Sequence, residues 1–234
     1  MADRQRVALV TGASRGFGLA LSRALAREGW TLVIDARDPS ALNTAADELG
    51  AIGQVTALPG DVTDPAHRAD LIAAAGECGG LDLLVNNASM LGPSPQPNLS
   101  SYPLETLRRV YEVNVIAPVA LIQAALPMLR ESKGVVVNVT SDAAVEGYEG
   151  WGGYGSSKAA LNQVSRILAA EEPDLGVIWF DPGDMNTAMH QEAFPGEDIS
   201  DRPPPEESVP ALLDLIKGGR ASGWYQARSA VSTP

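Results

Sequence analysis

A short apolar run that ends in three spaced glycines leaves this chain few ways to fold. Val7-Ala8-Leu9-Val10 leads into Thr11-Gly12-Ala13-Ser14-Arg15-Gly16-Phe17-Gly18, and Leu19 to Ala26 continues with an apolar, helix-favouring composition. That order reads as strand, tight turn and helix. Glycine allows the backbone to turn sharply and to approach a ligand closely, while the helix start presents unpaired N–H groups and a positive dipole end. A pyrophosphate, and hence a dinucleotide, suits such a site. The spacing is G-x-x-x-G-x-G, not the commoner G-x-G-x-x-G. A plain capping turn hinged at Gly12 is the alternative, and three glycines between strand and helix weigh against it.

The same alternation recurs along the chain. Thr31 to Asp35, Gln54 to Leu58, Leu81 to Val85, Val135 to Val139 and Val177 to Phe180 read as strands, with a short last one near Gly223-Trp224-Tyr225. Helices are expected from Ser40 to Leu49, from Asp64-Pro65 towards Cys78, from the proline-rich loop Gly92 to Pro97 through Arg130, around Tyr154 and Lys158, and from Glu206 to Lys217. Regular βα repetition with right-handed crossovers predicts an α/β fold, a doubly wound parallel sheet flanked by helices. With 234 residues, 45% of them hydrophobic, and no linker, one domain over 1–234 is expected.

Charge and cysteine content narrow the function classes. Seventeen basic against 29 acidic residues give a net charge of −12, which disfavours nucleic acid as a partner. The single Cys78 excludes an intramolecular disulfide, and Met1-Ala2-Asp3-Arg4-Gln5-Arg6 carries no apolar leader. No run approaches membrane-spanning length, so a cytoplasmic location without a membrane partner is expected. His67 and His190 lack partners at metal-ligand spacing; no metal site is expected, and both are assigned to surface or helix packing.

Tyr154-Gly155-Ser156-Ser157-Lys158 places a phenol and an ammonium one helical turn apart, roughly 6 Å along the axis. A phenol with a pKa of about 10 is a poor proton donor or acceptor near neutrality, and a neighbouring cation is expected to lower that value. In a parallel sheet the ligand crevice lies outside the carboxyl ends of the strands, where Gly12, Asn86, Ser141 and Pro182-Gly183 all fall. The Ser141 hydroxyl is placed to stabilise charge building on a substrate carbonyl, or else to cap its loop. Asn87 is expected to tie adjacent loops together. Pro118 cannot donate to the carbonyl of Asn114, so that carbonyl either holds a water near Lys158 or marks a packing kink.

Taken together, T-G-x-x-x-G-x-G, N-N-A, Ser141 ahead of Y-x-x-x-K, Asn114 in the preceding helix and P-G after the sixth strand resemble the short-chain dehydrogenase/reductase family over nearly the whole chain. The resemblance implies a Rossmann-like fold, a nicotinamide cofactor, and a catalytic set of Asn114, Ser141, Tyr154 and Lys158. In that family the Tyr is the general acid/base, the Ser orients the carbonyl, the Lys lowers the Tyr pKa and holds the ribose, and the Asn anchors a proton-relay water. It further implies cofactor contacts at Gly12, Ser14, Arg15, Gly16, Phe17, Gly18, Arg37, Asp61, Val62, Asn87, Ala88, Tyr154, Lys158, Pro182, Gly183 and Thr187. Ser89 departs from the family's usual glycine in N-N-A-G.

By the same resemblance the acid of NAD-dependent members aligns with Ala36, while Arg15 and Arg37 match basic positions of NADP-dependent ones. NADP(H) is therefore preferred, with NAD(H) possible because Asp35 stands beside this site. Asp184 to Pro205 is expected to form a lid, and Met90, Leu91, Tyr148, Trp151, Met185, Met189 and Phe194 an apolar pocket for a small carbonyl or alcohol. The resemblance also implies a homodimer or homotetramer. The expected activity is hydride transfer between cofactor and substrate. The alternatives are a cofactor-binding sensor or interaction protein without turnover, or an epimerase or dehydratase on the same site.

Overall fold

The computed structural model describes residues 5–218 and 221–227, so the reading of Met1 to Arg4 lies outside the described residues. Its core is one seven-stranded parallel sheet, made of β1 (Val7–Val10), β2 (Thr31–Ala36), β3 (Val55–Pro59), β4 (Leu83–Asn86), β5 (Val135–Val139), β6 (Gly176–Asp181) and β7 (Gly223–Gln226). They lie in the order β3-β2-β1-β4-β5-β6-β7. The register sets Ala8 beside both Leu32 and Leu83, so the order reverses on either side of β1 and opens a crevice there.

Alternation along each strand feeds two cores. Ala8, Val10, Leu32, Ile34, Val85 and Phe180 face α1 (Gly16–Arg27), α2 (Pro39–Gly50) and α8 (Val209–Lys217). Leu9, Val33, Leu84, Val136 and Val177 face α3 (Pro65–Glu77) and α5 (Ala117–Ser132). Period-two side chains and helices on both sides account for strands that read as continuous apolar runs. The helix starts are set locally. Asp38 accepts from the N–H groups of Ser40 and Ala41 ahead of α2, Asp64 accepts from Ala66 ahead of α3, and a proline occupies the first turn of each.

The expected long helix after the proline-rich loop is divided. It runs as α4 (Leu104–Tyr111), a π turn (Glu112–Ile116) and α5, with the Ala117 N–H reaching back to the Glu112 carbonyl. Pro118 removes the donor that would close on Asn114, and the chain takes up a wider turn at that point. The whole span from Leu104 to Ser132 is 29 residues long and contains an 18-residue window with a mean hydropathy of 1.6, enough by length and composition to cross a bilayer. That corrects the expectation that no run approaches this length. Half of the span's apolar stretch is buried in the protein, where Leu121, Ile122, Ala125 and Leu129 join the second core. The lid segment likewise contains regular structure, the short α7 (Ala188–Ala193). The remaining helix, α6 (Gly152–Glu171), carries Tyr154 and Lys158.

Candidate active site

The carboxyl ends of the strands open into a cleft of about 800 Å³. At one end the glycine turn forms its wall. Gly12 and Gly16 have φ of +66° and +58°, and a Cβ on Gly12 would stand 2.9 Å from the Ala88 Cα, so only glycine fits. No side chain caps the start of α1, which leaves its first N–H groups facing the cleft. Those observations fit a bound pyrophosphate. Thr11 and Asn87 fix the turn from behind: the Thr11 hydroxyl accepts from the N–H groups of Asn87 and Ala88 at 3.0 Å, and Asn87 Nδ2 donates to the Thr11 carbonyl at 2.8 Å. Asn87 thus ties the loops together as expected.

Asp35 completes this support from an unexpected direction. It is 1% exposed; one carboxylate oxygen accepts from the Gly12 N–H at 2.8 Å and the other meets His67 Nε2 at 3.1 Å. His67 is therefore a buried ion-pair partner and not a surface or packing residue, a correction to its sequence assignment. The carboxylate beside it pulls the His67 imidazole up from its usual value, while burial resists ionisation of Asp35. Exposed Arg15 and Arg37 line the same end of the cleft with no ion-pair partner among the described residues. Asp61 and Val62 line it too, and Arg109 Nη2 donates to Asp61 at 2.5 Å.

The middle of the cleft holds Tyr154, Lys158 and Ser141. Tyr154 is 8% exposed and Lys158 2%, with the ammonium 5.5 Å from the phenol ring centre. Lys158 Nζ donates to the Val139 carbonyl at 2.8 Å, and burial brings its pKa down to about 7. The phenol moves the opposite way from the expected lowering. Burial pushes it above its ordinary value, the Asp181 and Asp142 carboxylates add to the rise, and hydrogen bonds with the Ser89 and Ser141 hydroxyls oppose it. Dehydration is the largest cause of the rise. Ser141 does two jobs, since its Oγ also accepts from the Ala143 N–H at 3.2 Å and caps the turn after β5.

Asn114 sits behind this centre and not on the cleft wall. Its side-chain oxygen accepts from the Met90 N–H at 2.8 Å and from Ser89 Oγ at 3.2 Å, while its nitrogen donates to the Met90 carbonyl and to Ser157 Oγ, each at 2.9 Å. The carboxamide is thus fully used in holding the loop after β4 to α6. Ser89, noted in the sequence only as a departure from glycine, links Asn114 to the phenol. Nothing in its spacing pointed there.

The far end of the cleft is apolar and aromatic. Leu91, Ala143 and Tyr154 cluster with Trp151, Met189 and Ala193, and Trp151 meets Tyr154 and Phe194 with ring centres 5.8 and 5.9 Å apart. The charged residues lining this end are acidic, Asp142, Asp184 and Glu192. Pro182, Gly183 and Thr187 run between the two ends, and the Thr187 methyl lies 3.6 Å from where a Cβ on Gly16 would stand. Of the expected cofactor contacts, Ser14, Phe17 and Ala88 also line the cleft. Gly18 does not: it is buried, and a Cβ there would come within 2.5 Å of the Gly12 carbonyl oxygen. Its lack of a side chain serves the packing of α1 against the turn.

A family profile described as short chain dehydrogenase matches residues 6–198. The chain is 40% identical over 174 residues to a rhamnolipids biosynthesis 3-oxoacyl-[acyl-carrier-protein] reductase of Pseudomonas aeruginosa, covering 71% of this chain and 66%, just under two thirds, of that protein. It is 34% identical over 218 residues to a benzil reductase ((S)-benzoin forming) of Saccharomyces cerevisiae, covering 89% of this chain and 80% of that one. Its fold is similar to an alcohol dehydrogenase from Thermococcus sibiricus complexed with 5-hydroxy-NADP, with a TM-score of 0.86, 29% identity and coverage of 98% and 99%.

Proposed function

The chain belongs to the short-chain dehydrogenase family and is an NAD(P)-dependent oxidoreductase, and from that premise we propose that it uses NADP(H) to reduce small apolar carbonyl compounds. One observation carries the reading: a buried phenol, a buried amine and two serine hydroxyls converge in a cleft continuous with a glycine turn built for a pyrophosphate. The nicotinamide supplies the hydride.

Tyr154 gives its proton to the carbonyl oxygen as charge develops there. Its raised pKa favours this direction, because burial keeps the phenol in the protonated form that a donor requires. Ser141, whose single O–H is given to Asp142 Oδ1 at 3.0 Å in the structure, turns it to the same oxygen and fixes its position. Lys158 uses one of its three N–H donors on Val139, which leaves two for a ribose hydroxyl and for stabilising the phenolate left after proton transfer. Asn114 positions the loop that carries Ser89. Trp151, Leu91 and Met189, with Phe194 packed against Trp151, exclude water and receive the apolar body of the substrate, and the aromatic diketone named for the yeast relative has the shape and chemistry such a wall accepts.

The preference for NADP(H) rests on Arg15 and Arg37, without an ion-pair partner among the described residues, lining the cleft where a ribose 2′-phosphate requires cations, and the NADP analogue in the Thermococcus relative agrees with it. A cytoplasmic location is part of the proposal. So is a homo-oligomer, supported by exposed Leu104 and Ile116 at the start of α4 and in the π turn, 66% and 50% accessible.

The test follows NADPH absorbance with a panel of aryl and alkyl ketones and diketones. Tyr154→Phe is expected to lower kcat by about 10²- to 10⁴-fold while cofactor affinity stays within about threefold. An unchanged kcat in this variant overturns the assignment of the proton donor. Absence of turnover across the panel, with nucleotide affinity intact, overturns the substrate class.

A further inference from the structure

The Asp35–His67 pair lies outside the chemistry described above, yet it forms the floor of the nucleotide end. An acid near the end of β2 ordinarily opposes a 2′-phosphate, since its charge stands close to the site that phosphate would occupy. Here the carboxylate is 1% exposed and both of its oxygens are engaged, one by the Gly12 N–H and the other by His67. His67 is itself 8% exposed and reaches this position only because residue 60 is glycine: a Cβ there would fall 2.3 Å from the imidazole Nδ1. Three residues from three separate elements are thus fitted to one another around a single charge. Asp64 and Asp70 act on the imidazole as further acids, Asp61 acts on Asp35, and Arg109 holds Asp61.

We propose that His67 is a positioning residue for cofactor choice, which neutralises Asp35 and keeps its carboxylate turned into the interior, so that Asp35 does not repel a ribose 2′-phosphate held by Arg15 and Arg37. The inference rests on the NADP(H) reading and names the device that makes it compatible with an acid two residues before Arg37. The pKa of the imidazole is raised, first by its hydrogen bond to Asp35, which favours the charged form. Asp35 in turn holds the glycine turn through Gly12, so the same pair serves shape and charge.

The probes are 2′,5′-ADP and 5′-AMP, which differ only in the 2′-phosphate, and binding is read by calorimetry without turnover. The quantity of interest is the ratio of their dissociation constants. In His67→Leu the preference for 2′,5′-ADP is expected to fall about tenfold or more, and adding Asp35→Asn is expected to restore it to within about threefold of wild type. A merely structural role would weaken both probes together and would not be rescued by removing the acid. Asp35→Asn alone should leave the ratio within about threefold, because its charge is already cancelled. The proposal is overturned if His67→Leu keeps the wild-type ratio, or if Asp35→Asn alone raises it about tenfold, which would mean that the phosphate already felt that charge. The second arm decides the matter should His67→Leu fail to fold. A wild-type protein that prefers 5′-AMP sinks the NADP(H) reading itself, whatever the variants do.

Discussion

Lys158 shows how far burial can displace a side chain from its solution chemistry. Its partner, the Val139 carbonyl, carries no net charge, and the pKa falls from 10.5 to about 7. The unfolded chain therefore binds a proton that the ligand-free fold has released between those two values, and stability rises with pH across that window. His67 runs the other way: its pKa is raised by Asp35, so its contribution is present below the unfolded value and is lost as pH climbs through the folded one. Urea unfolding of the ligand-free protein at pH 7 and pH 9.5 separates the two when compared with Lys158→Met. Wild type should gain stability on that variant as the pH rises, and parallel curves would refute the buried, partly discharged amine. At this scale the sequence was informative where chemistry follows local spacing, as for Tyr154 and Lys158 on one turn of α6. It was silent where partners meet across the fold, as for Asp35 and His67, or Ser89 and the phenol. The direction of the Tyr154 shift was misjudged because spacing reveals a neighbour but not the depth of its burial.

The turn and first helix form a unit in which small residues are demanded for different reasons. Gly12 and Gly16 need positive φ, whereas Gly18 needs empty space, since a methyl there meets the Gly12 oxygen at 2.5 Å and Asn87 Nδ2 at 2.4 Å. Alanine improves intrinsic helix propensity by up to about 1 kcal/mol, but overpacking of this kind costs about 1–3 kcal/mol, so Gly18→Ala should lower the melting temperature. Gly50 ends α2 with no atom near the corresponding position, and Gly50→Ala should be neutral or stabilising. Equal melting temperatures for the two variants would contradict the packing described for Gly18. The strands were legible because two covered faces leave them almost wholly apolar, and α2 and α3 because Asp-Pro pairs mark their starts. The π turn was half legible: Pro118 announced a broken hydrogen bond at Asn114, while the wider turn depends on the packing of this segment against α6. That packing is recorded nowhere in the local sequence.

Across the molecule the cleft is electrically divided. Arg15 and Arg37 stand with Asp38 and Asp61 at the nucleotide end, whereas Asp142, Asp184 and Glu192 at the aromatic end have no arginine beside them in the lining, and the chain as a whole carries −12. A substrate with a carboxylate meets like charge on approach, and a neutral one does not. For a matched aromatic keto acid and its methyl ester, kcat/KM should favour the ester by about tenfold at low salt, with the gap narrowing as salt is added. Equal values would remove charge from the account of selectivity. The parallel sheet and its crevice were readable from the repeated βα pattern, since strand order and handedness allow few other arrangements. The division of charge was not, because its members are scattered over loops between residues 15 and 192. Thr187 gives the division a mechanical side. Its methyl rests beside Gly16, while the helix it caps carries Met189 and Ala193 into the ring cluster at the opposite end. A guest seated against the glycine turn would thus lean on the same short lever that shapes the aromatic wall, so that filling one end of the cleft bears on the form of the other.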